Sequence, residues 1–289
     1  MMEIDLEKIR KEKPIKELLD FSIINIDKPA GPTSFGVDEF INKSLEINKS
    51  SHAGTLDPAV TGVLPVLLGR ACKLLGYFMG HNKTYVGIMR LHEDIDDKKI
   101  ENEMKKFVGK IKQTPPVKSR VKREERERQV YKWEILERDG KDVLFEVECE
   151  AGTYIRKLCS DLGEKIGGAH MLELRRIKAS IFEEKESWNL YDFDKAVTAW
   201  KKGDGRELRK ILIPAEIISK VLPVVQVQEE SLKRLWNGSP LFPEFLKEKF
   251  ELETGKKFAV FCKDRFIGIY VCKKDENTLA IPDYVLKTF

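Results

Sequence analysis

Apolar residues recur along this chain with two spacings, and the first clear one is extended. Phe21-Ser-Ile-Ile-Asn-Ile-Asp27 is a short apolar run closed by Lys28-Pro29-Ala30-Gly31-Pro32, the pattern of a strand entering a stiff loop. Thr33 or Ser34 can then cap a helix whose stripe is Val37, Phe40, Ile41 and Leu45. A loop around His52–Pro58 leads into a strand at Val60–Leu68 and a short helix near Ala71–Met79. Thr84–Leu91 reads as a strand, and the spacing of Ile100, Met104, Phe107 and Val108 predicts a helix. Asp139-Gly140 is a tight turn between strands Val130–Leu136 and Asp142–Glu150. In the second of these, Val143, Phe145, Val147 and Cys149 alternate with Leu144, Glu146, Glu148 and Glu150. Ile155, Leu158, Leu162 and Ile166 mark one side of a further helix, with Thr153 as its candidate N-cap.

Strands and helices mix without regular βαβ alternation, which predicts an α+β domain with a mixed, largely antiparallel sheet. The texture changes after about Ser219: Val221–Val227 is β-like, Glu229–Trp236 fits a short helix, and Lys257–Cys262 with Phe266–Cys272 fits a hairpin. The expected organisation is an N-terminal extension at 1–20, a main domain at 21–218 and a small β-rich module at 219–289.

Composition narrows the class. With 42% hydrophobic and 35% charged residues the chain is neither low-complexity nor generally disordered. Its apolar stretches, Val63 to Leu68 among them, fall far short of the ~20 residues needed to span a bilayer. The first twenty residues carry both charge signs and no apolar signal-peptide core. The expectation is a soluble, intracellular (cytoplasmic) protein. Five scattered cysteines with no CxxC pair argue for a reducing compartment and against a structural metal. The net charge of +4 is uninformative, but Val117 to Lys132 sets seven basic residues against three acidic ones.

Four segments offer chemistry. In His52-Ala-Gly-Thr-Leu-Asp57-Pro58, Gly54 permits an unusual backbone angle and Pro58 pushes Asp57 away from helical geometry. A carboxylate on such a loop can be aimed, although an isolated Asp-Pro is most simply a turn aspartate capping its own backbone. Gly152-Thr-Tyr-Ile-Arg156 puts Arg156 in the first turn of a helix, where the macrodipole disfavours a cation. That is either a surface arginine or one held by a carboxylate. Lys83-Thr-Tyr85 opens a strand, and Leu174-Arg-Arg176 follows Gly167-Gly168-Ala169-His170-Met171. Tyr85 and Leu174, taken alone, are ordinary packing residues.

Together these segments resemble the TruB-type pseudouridine synthases, whose His-x-Gly-Thr-Leu-Asp-Pro, Lys-x-Tyr, Gly-Thr-Tyr-Ile-Arg and Leu-Arg-Arg motifs all occur here. Asn25-Ile-Asp-Lys28-Pro-Ala-Gly-Pro-Thr-Ser34 is similar to the family's opening lysine–proline motif, and the likeness runs from about residue 21 to 185. Thr114-Pro-Pro-Val-Lys-Ser-Arg-Val-Lys-Arg123 and Gly168-Ala-His-Met-Leu-Glu-Leu-Arg-Arg176 lean towards the archaeal and eukaryotic branch, the dyskerin-like enzymes of H/ACA ribonucleoproteins. The tail resembles a PUA domain, with Pro243-Glu244 where that module usually has Pro-Gly.

The resemblance implies a pseudouridine synthase fold and an isomerisation that breaks the N1–C1′ bond of a uridine and rejoins the base through C5. Such a reaction requires no metal and no organic cofactor. It implies Asp57 as nucleophile or base, Arg156 as its partner, and Tyr85 stacked on the uracil and assisting loss of the C5 proton. Lys28 and Tyr154 would support the loops, Leu174 would supply an apolar wall, and His52 would contact RNA near the flipped base. Lys118, Arg120, Lys122, Arg123, Arg126 and Arg128 would form a basic thumb closing on RNA; a solvated hairpin edge is the plainer reading. The implied partners are substrate rRNA or tRNA, a box H/ACA guide RNA and three small proteins: one zinc-ribbon-like, one glycine/arginine-rich-type β-barrel, and one kink-turn-binding ribosomal-protein homologue. The alternatives are a stand-alone enzyme of the tRNA T-loop and, in a different class, a non-catalytic PUA-type RNA-binding scaffold.

Overall fold

A computed structural model describes residues 4–115, 122–251, 253–273, 275 and 277–287. The main sheet contains β1 (Ser22–Lys28), β2 (Ser50–His52), β3 (Thr61–Leu68), β4 (Lys83–Leu91), β5 (Gly109–Gln113), β6 (Arg126–Asp139), β7 (Asp142–Cys149), β8 (Ala169–Ala179), β9 (Phe182–Glu183), β10 (Trp188–Asn189) and β11 (Ile213–Pro214). Its long path runs β10-β1-β3-β8-β4-β7-β6-β5. Among these pairs only β1–β10 and β3–β8 are parallel, so the sheet is mixed and largely antiparallel. The helices are α1 (Leu6–Glu12), α2 (Ile15–Asp20), α3 (Ser34–Leu45), α4 (Leu75–Met79), α5 (Asp97–Lys105), α6 (Ile155–Ile166), α7 (Leu190–Lys201), α8 (Arg206–Ile211) and α9 (Leu232–Trp236).

β3 reads as a continuous apolar run because it is covered on both faces. Leu64, Val66 and Leu68 pack with Val37, Ile41 and Leu45 of α3 and with Phe193 of α7. Val63 and Leu67 face the opposite way, towards a second cluster. β3 meets β8 only at Thr61 and Gly62, the seam joining the two halves of the sheet. Gly62 has φ +100°, and a Cβ there would lie 2.2 Å from the Arg176 carbonyl oxygen, so the seam requires glycine. α6 buries Ile155, Leu158, Leu162 and Ile166 and stops at Gly167 in the left-handed region.

A second sheet, β12 (Val224–Gln226), β13 (Lys257–Cys262), β14 (Arg265–Cys272) and β15 (Ala280–Val285), is ordered in sequence. One face carries Phe258, Val260, Ile267 and Tyr270 with Leu235 and Phe245. The other, with Phe261, Phe266 and Ile269, shares a cluster with Ile4, Ile9, Phe21, Val63 and Phe78. The N-terminal segment therefore packs in the same cluster as both sheets. Lys8 pairs with Asp264 at 3.6 Å, and Asp283 accepts from Lys257 at 2.8 Å and from the Tyr77 hydroxyl.

Several elements depart from the pattern reading. α5 ends at Lys105, leaving Val108 exposed and Phe107 edge-on to Trp133 at 5.9 Å. Phe40 is outside the buried stripe of α3 and leans on Phe193 at 6.1 Å. Thr153 does not cap α6: its hydroxyl donates to the Glu150 carbonyl at 2.8 Å, and the cap residue is Tyr154. β8, central to the sheet, has no clean apolar alternation because charged residues occupy it throughout. Among the described residues, no helix is long and apolar enough to cross a membrane.

Candidate active site

The loop from His52 to Pro58 leaves β2 and returns to β3, and hydrogen bonds to its main chain hold it on both sides of Asp57. Ser34, buried at the start of α3, accepts from Leu56 N at 2.8 Å and donates to Leu56 O at 3.0 Å. On the far side of Asp57, the Pro58 carbonyl accepts from Gly31 N at 2.9 Å and from Lys28 Nζ at 3.1 Å. Asp57 is thus flanked by two fastened peptides while its own side chain stays 55% exposed. That is a fixed, open carboxylate.

Arg156 reaches it across 99 residues of sequence, Nη2 donating to Asp57 Oδ2. The guanidinium enters from the first turn of α6, whose start is secured by Gln113 at the end of β5. The Gln113 amide accepts from Tyr154 N at 2.9 Å and donates to Tyr154 O at 3.2 Å, and Gln113 is buried. With the side chains of both Arg156 and Asp57 about half exposed, the pair's worth lies in geometry more than in stability.

Behind this pair is a buried layer. Tyr85 is 8% exposed; burial pushes its pKa up, with the neighbouring Arg176 opposing. Leu174 lies beside it in the core, and Lys28 is fully buried, burial lowering its pKa against the pull of Asp57. His52 is turned inward: Nδ1 is 2.7 Å from Asp38 Oδ2 and Nε2 is 3.1 Å from Thr55 Oγ1. A carboxylate only accepts, so in the neutral ring the proton belongs on Nδ1.

Asp57, Arg156, Tyr85 and Lys28 therefore converge, with Tyr154 at the cap of the helix that carries Arg156, Leu174 in the core cluster of Tyr85 and His52 at the loop's entry. The basic run is less uniform. Lys118 and Arg120 lie outside the described residues. Its three glutamates are engaged, Glu124 by Lys122, Glu125 by Lys112 at 3.2 Å and Glu127 by Lys110 at 2.9 Å. Arg128 folds against the Gly152 turn, 3.8 Å from Glu150. Arg123 and Arg126 have no carboxylate partner among the described residues.

Sequence reasoning passed over Ser34, Gln113, Asp38, Lys83 and Arg176 as site residues. Arg176 is the most telling: 1% exposed, it donates to Val63 O at 2.8 Å and to Gly54 O at 2.9 Å. A signal existed, since Leu174 and Arg176 have the same strand parity. Among the described residues, no group of three or more His, Cys, Asp or Glu side chains is arranged to hold a metal ion.

Comparison with known proteins bears on this constellation. The profile of the TruB family pseudouridylate synthase N-terminal domain matches residues 42–155, and that of the tRNA pseudouridylate synthase B C-terminal domain matches residues 156–219. The chain is 44% identical over 233 residues to the probable tRNA pseudouridine synthase B of Methanocaldococcus jannaschii, covering 80% of this chain and 69% of that protein. Its counterpart in Methanopyrus kandleri is 41% identical over 267 residues, covering 91% and 79%. A chain of the crystallised Cbf5-Nop10-Gar1 complex superposes with a TM-score of 0.87 at 37% identity, covering 96% of this chain and 88% of that one. An H/ACA RNP bound to a substrate RNA containing 2′-deoxyuridine gives a TM-score of 0.86 at 36% identity, covering 97% and 88%.

Proposed function

The chain belongs to the TruB family of pseudouridylate synthases, and from that premise we propose how its residues act and in what setting. The enzyme isomerises uridine to pseudouridine in RNA. Asp57 is its nucleophile or base, held and aimed by Arg156, and this pairing on a doubly fastened loop is the observation that carries the reading. The adjacent cation favours the ionised carboxylate. Tyr85 meets the flipped uracil and assists loss of the C5 proton, while Leu174 closes the apolar side. Lys28 and Tyr154 secure the two loops; His52 contacts RNA at the entrance. Arg123 and Arg126, with the rest of the basic run, grip phosphates.

The setting is an H/ACA guide ribonucleoprotein acting on rRNA, with the second sheet serving as a PUA-like RNA-binding module at 219–289 and the N-terminal 1–20 packing against it. The likeness to the chain in the Cbf5-Nop10-Gar1 complex, over nearly the whole length, supports this. The partners then have the chemistry of guide RNA and of small proteins like those two. The names of the archaeal relatives support the second reading, direct action on tRNA, and the two are compatible. Purified protein is incubated with tRNA transcript and with rRNA fragments, each with and without guide RNA and partner proteins. Turnover of rRNA that depends on the guide is the expected result; full turnover of free tRNA with no gain from the guide on any RNA removes the guided reading.

A further inference from the structure

We propose that Lys83 and Arg176, buried behind Tyr85, form a positive seat for the uracil anion released when the N1–C1′ bond breaks. The inference rests on the pseudouridine synthase reading and deepens it. Both side chains are buried, at 6% and 1% exposure, and neither forms an ion pair with a carboxylate among the described residues. They lie on one face of adjacent strands, with Tyr85 paired opposite Arg176 in register and Lys83 two residues before it on β4. Both also press on the loop that carries Asp57: a Cβ added to Gly54 would meet Arg176 Nη1 and Lys83 Cε, each at 3.4 Å.

Their hydrogen bonds do not account for their charge. Lys83 donates to Met79 O at 3.0 Å and His81 O at 2.9 Å, and Arg176 to Val63 O and Gly54 O. A neutral amide or hydroxyl can hold a carbonyl as well, without the cost of desolvating a cation. No negative group in the layer offsets them: burial pushes the Cys149 thiol facing Lys83 up to about 12 and raises Tyr85 as well, so both are neutral at physiological pH. Asp57, the carboxylate felt by Tyr85, is engaged by Arg156. Two uncompensated cations in a dry layer stabilise whatever anion arrives beside them.

The reaction supplies one. When N1–C1′ breaks, its electron pair goes to N1 and the negative charge spreads over the ring to O2 and O4. C1′ is meanwhile captured by an Asp57 oxygen, or C2′ loses a proton to Asp57. The base turns and C5 bonds to C1′, as the Asp57–C1′ bond breaks or as Asp57 returns the proton to C2′; the C5 proton then leaves and N1 gains one, so atoms and charge balance. The anion arises on either route. A positive seat therefore lowers the cleavage barrier without choosing between them.

Leaving-group chemistry tests this. The full-length protein is given a short RNA that the wild type isomerises, with uridine or 5-fluorouridine at the target, in single-turnover reactions at pH 6.5 and saturating enzyme. Fluorine withdraws charge from the ring, so its cleavage leans less on the seat. Lys83→Met is expected to slow cleavage of uridine by about tenfold to a hundredfold and that of 5-fluorouridine by only about threefold. Lys83→Arg, which keeps the charge, restores most of the rate. With uridine, the wild-type rate should also fall as pH rises through about 8, where burial and Arg176 bring the Lys83 ammonium down to lose its proton; Lys83→Arg should stay level. Arg176 from β8, Cys149 from β7 and the Met79 and His81 carbonyls are the groups that face it. Equal losses on both substrates overturn the inference, as does a level wild-type pH profile should Lys83→Met fail to fold. A wild type inert on every RNA would instead strike the underlying reading.

Discussion

Replacing Ser34 by alanine tests whether the loop is held as described. The hydroxyl is buried and makes two hydrogen bonds to one peptide group, with Leu56 N at 2.8 Å and Leu56 O at 3.0 Å. Alanine fits the space and leaves both groups without a partner. Each orphaned buried polar group costs about 1–3 kcal/mol, and because Asp57 next door is exposed, partial access to water puts the total near the low end, about 2–3 kcal/mol. In a domain of this size that lowers Tm by about 4–10 °C. The kinetic effect should be larger in consequence. Leu56 precedes Asp57, and a shift of about 1 Å at a reacting group costs on the order of a hundredfold. Thermal melts followed by circular dichroism, together with tritium release from RNA labelled at uracil C5, give both numbers. The expected result is kcat down by about tenfold to a hundredfold with KM nearly unchanged. A kcat within about twofold of wild type would refute the reasoning, and a lowered Tm alongside it would mean that Ser34 serves the fold and not the carboxylate.

Three further outcomes follow from the same structure. Asp57→Ala should abolish isomerisation while leaving RNA affinity, measured by filter binding, within about fivefold, because the side chain is one exposed group among many contacts; wild-type turnover would reject the mechanism. Arg156→Lys should lose activity severely although charge is kept, since an ammonium cannot reproduce the guanidinium fork, and near-normal turnover would mean the pair is not used. Glu216 is buried beside Lys13, and burial raises its carboxyl above the usual 4.5, so the folded state holds that proton more tightly than the unfolded chain. Stability from this group is therefore present at low pH and declines as pH rises from about 4.5 through the raised value. Glu216→Gln should flatten that decline in melts between pH 5 and 8, and an unchanged slope counts against it.

Much of the fold was legible because the two periodicities were clean. β1, β3, β4, β7 and α6 each bury the positions that their spacing marked, and α3 does so except at Phe40. β8 was not legible as a strand, since it carries Glu173, Arg175, Arg176 and Lys178 through the middle of the sheet. The charge of Arg176 hid its burial: residue type predicts exposure, and only the carbonyls of Val63 and Gly54, contributed by distant segments, reverse that. The Asp57–Arg156 pair could be anticipated from motif likeness but not from local rules, because its members are 99 residues apart. α1 and α2 were obscured by dense charge; Ile9, Leu18 and Leu19 bury against surfaces supplied by other parts of the chain.

The grip on the Asp57 loop is made almost wholly through peptide atoms, Leu56 N and O and the carbonyls of Gly54 and Pro58. An outward side chain such as that of Ala59 takes no part in it, whereas the Pro58 ring stiffens the loop. Mutation at such a position can therefore alter the outer surface of the loop without dislodging the acid. The outer face of the loop is thus free to vary while the geometry of the carboxylate is inherited intact.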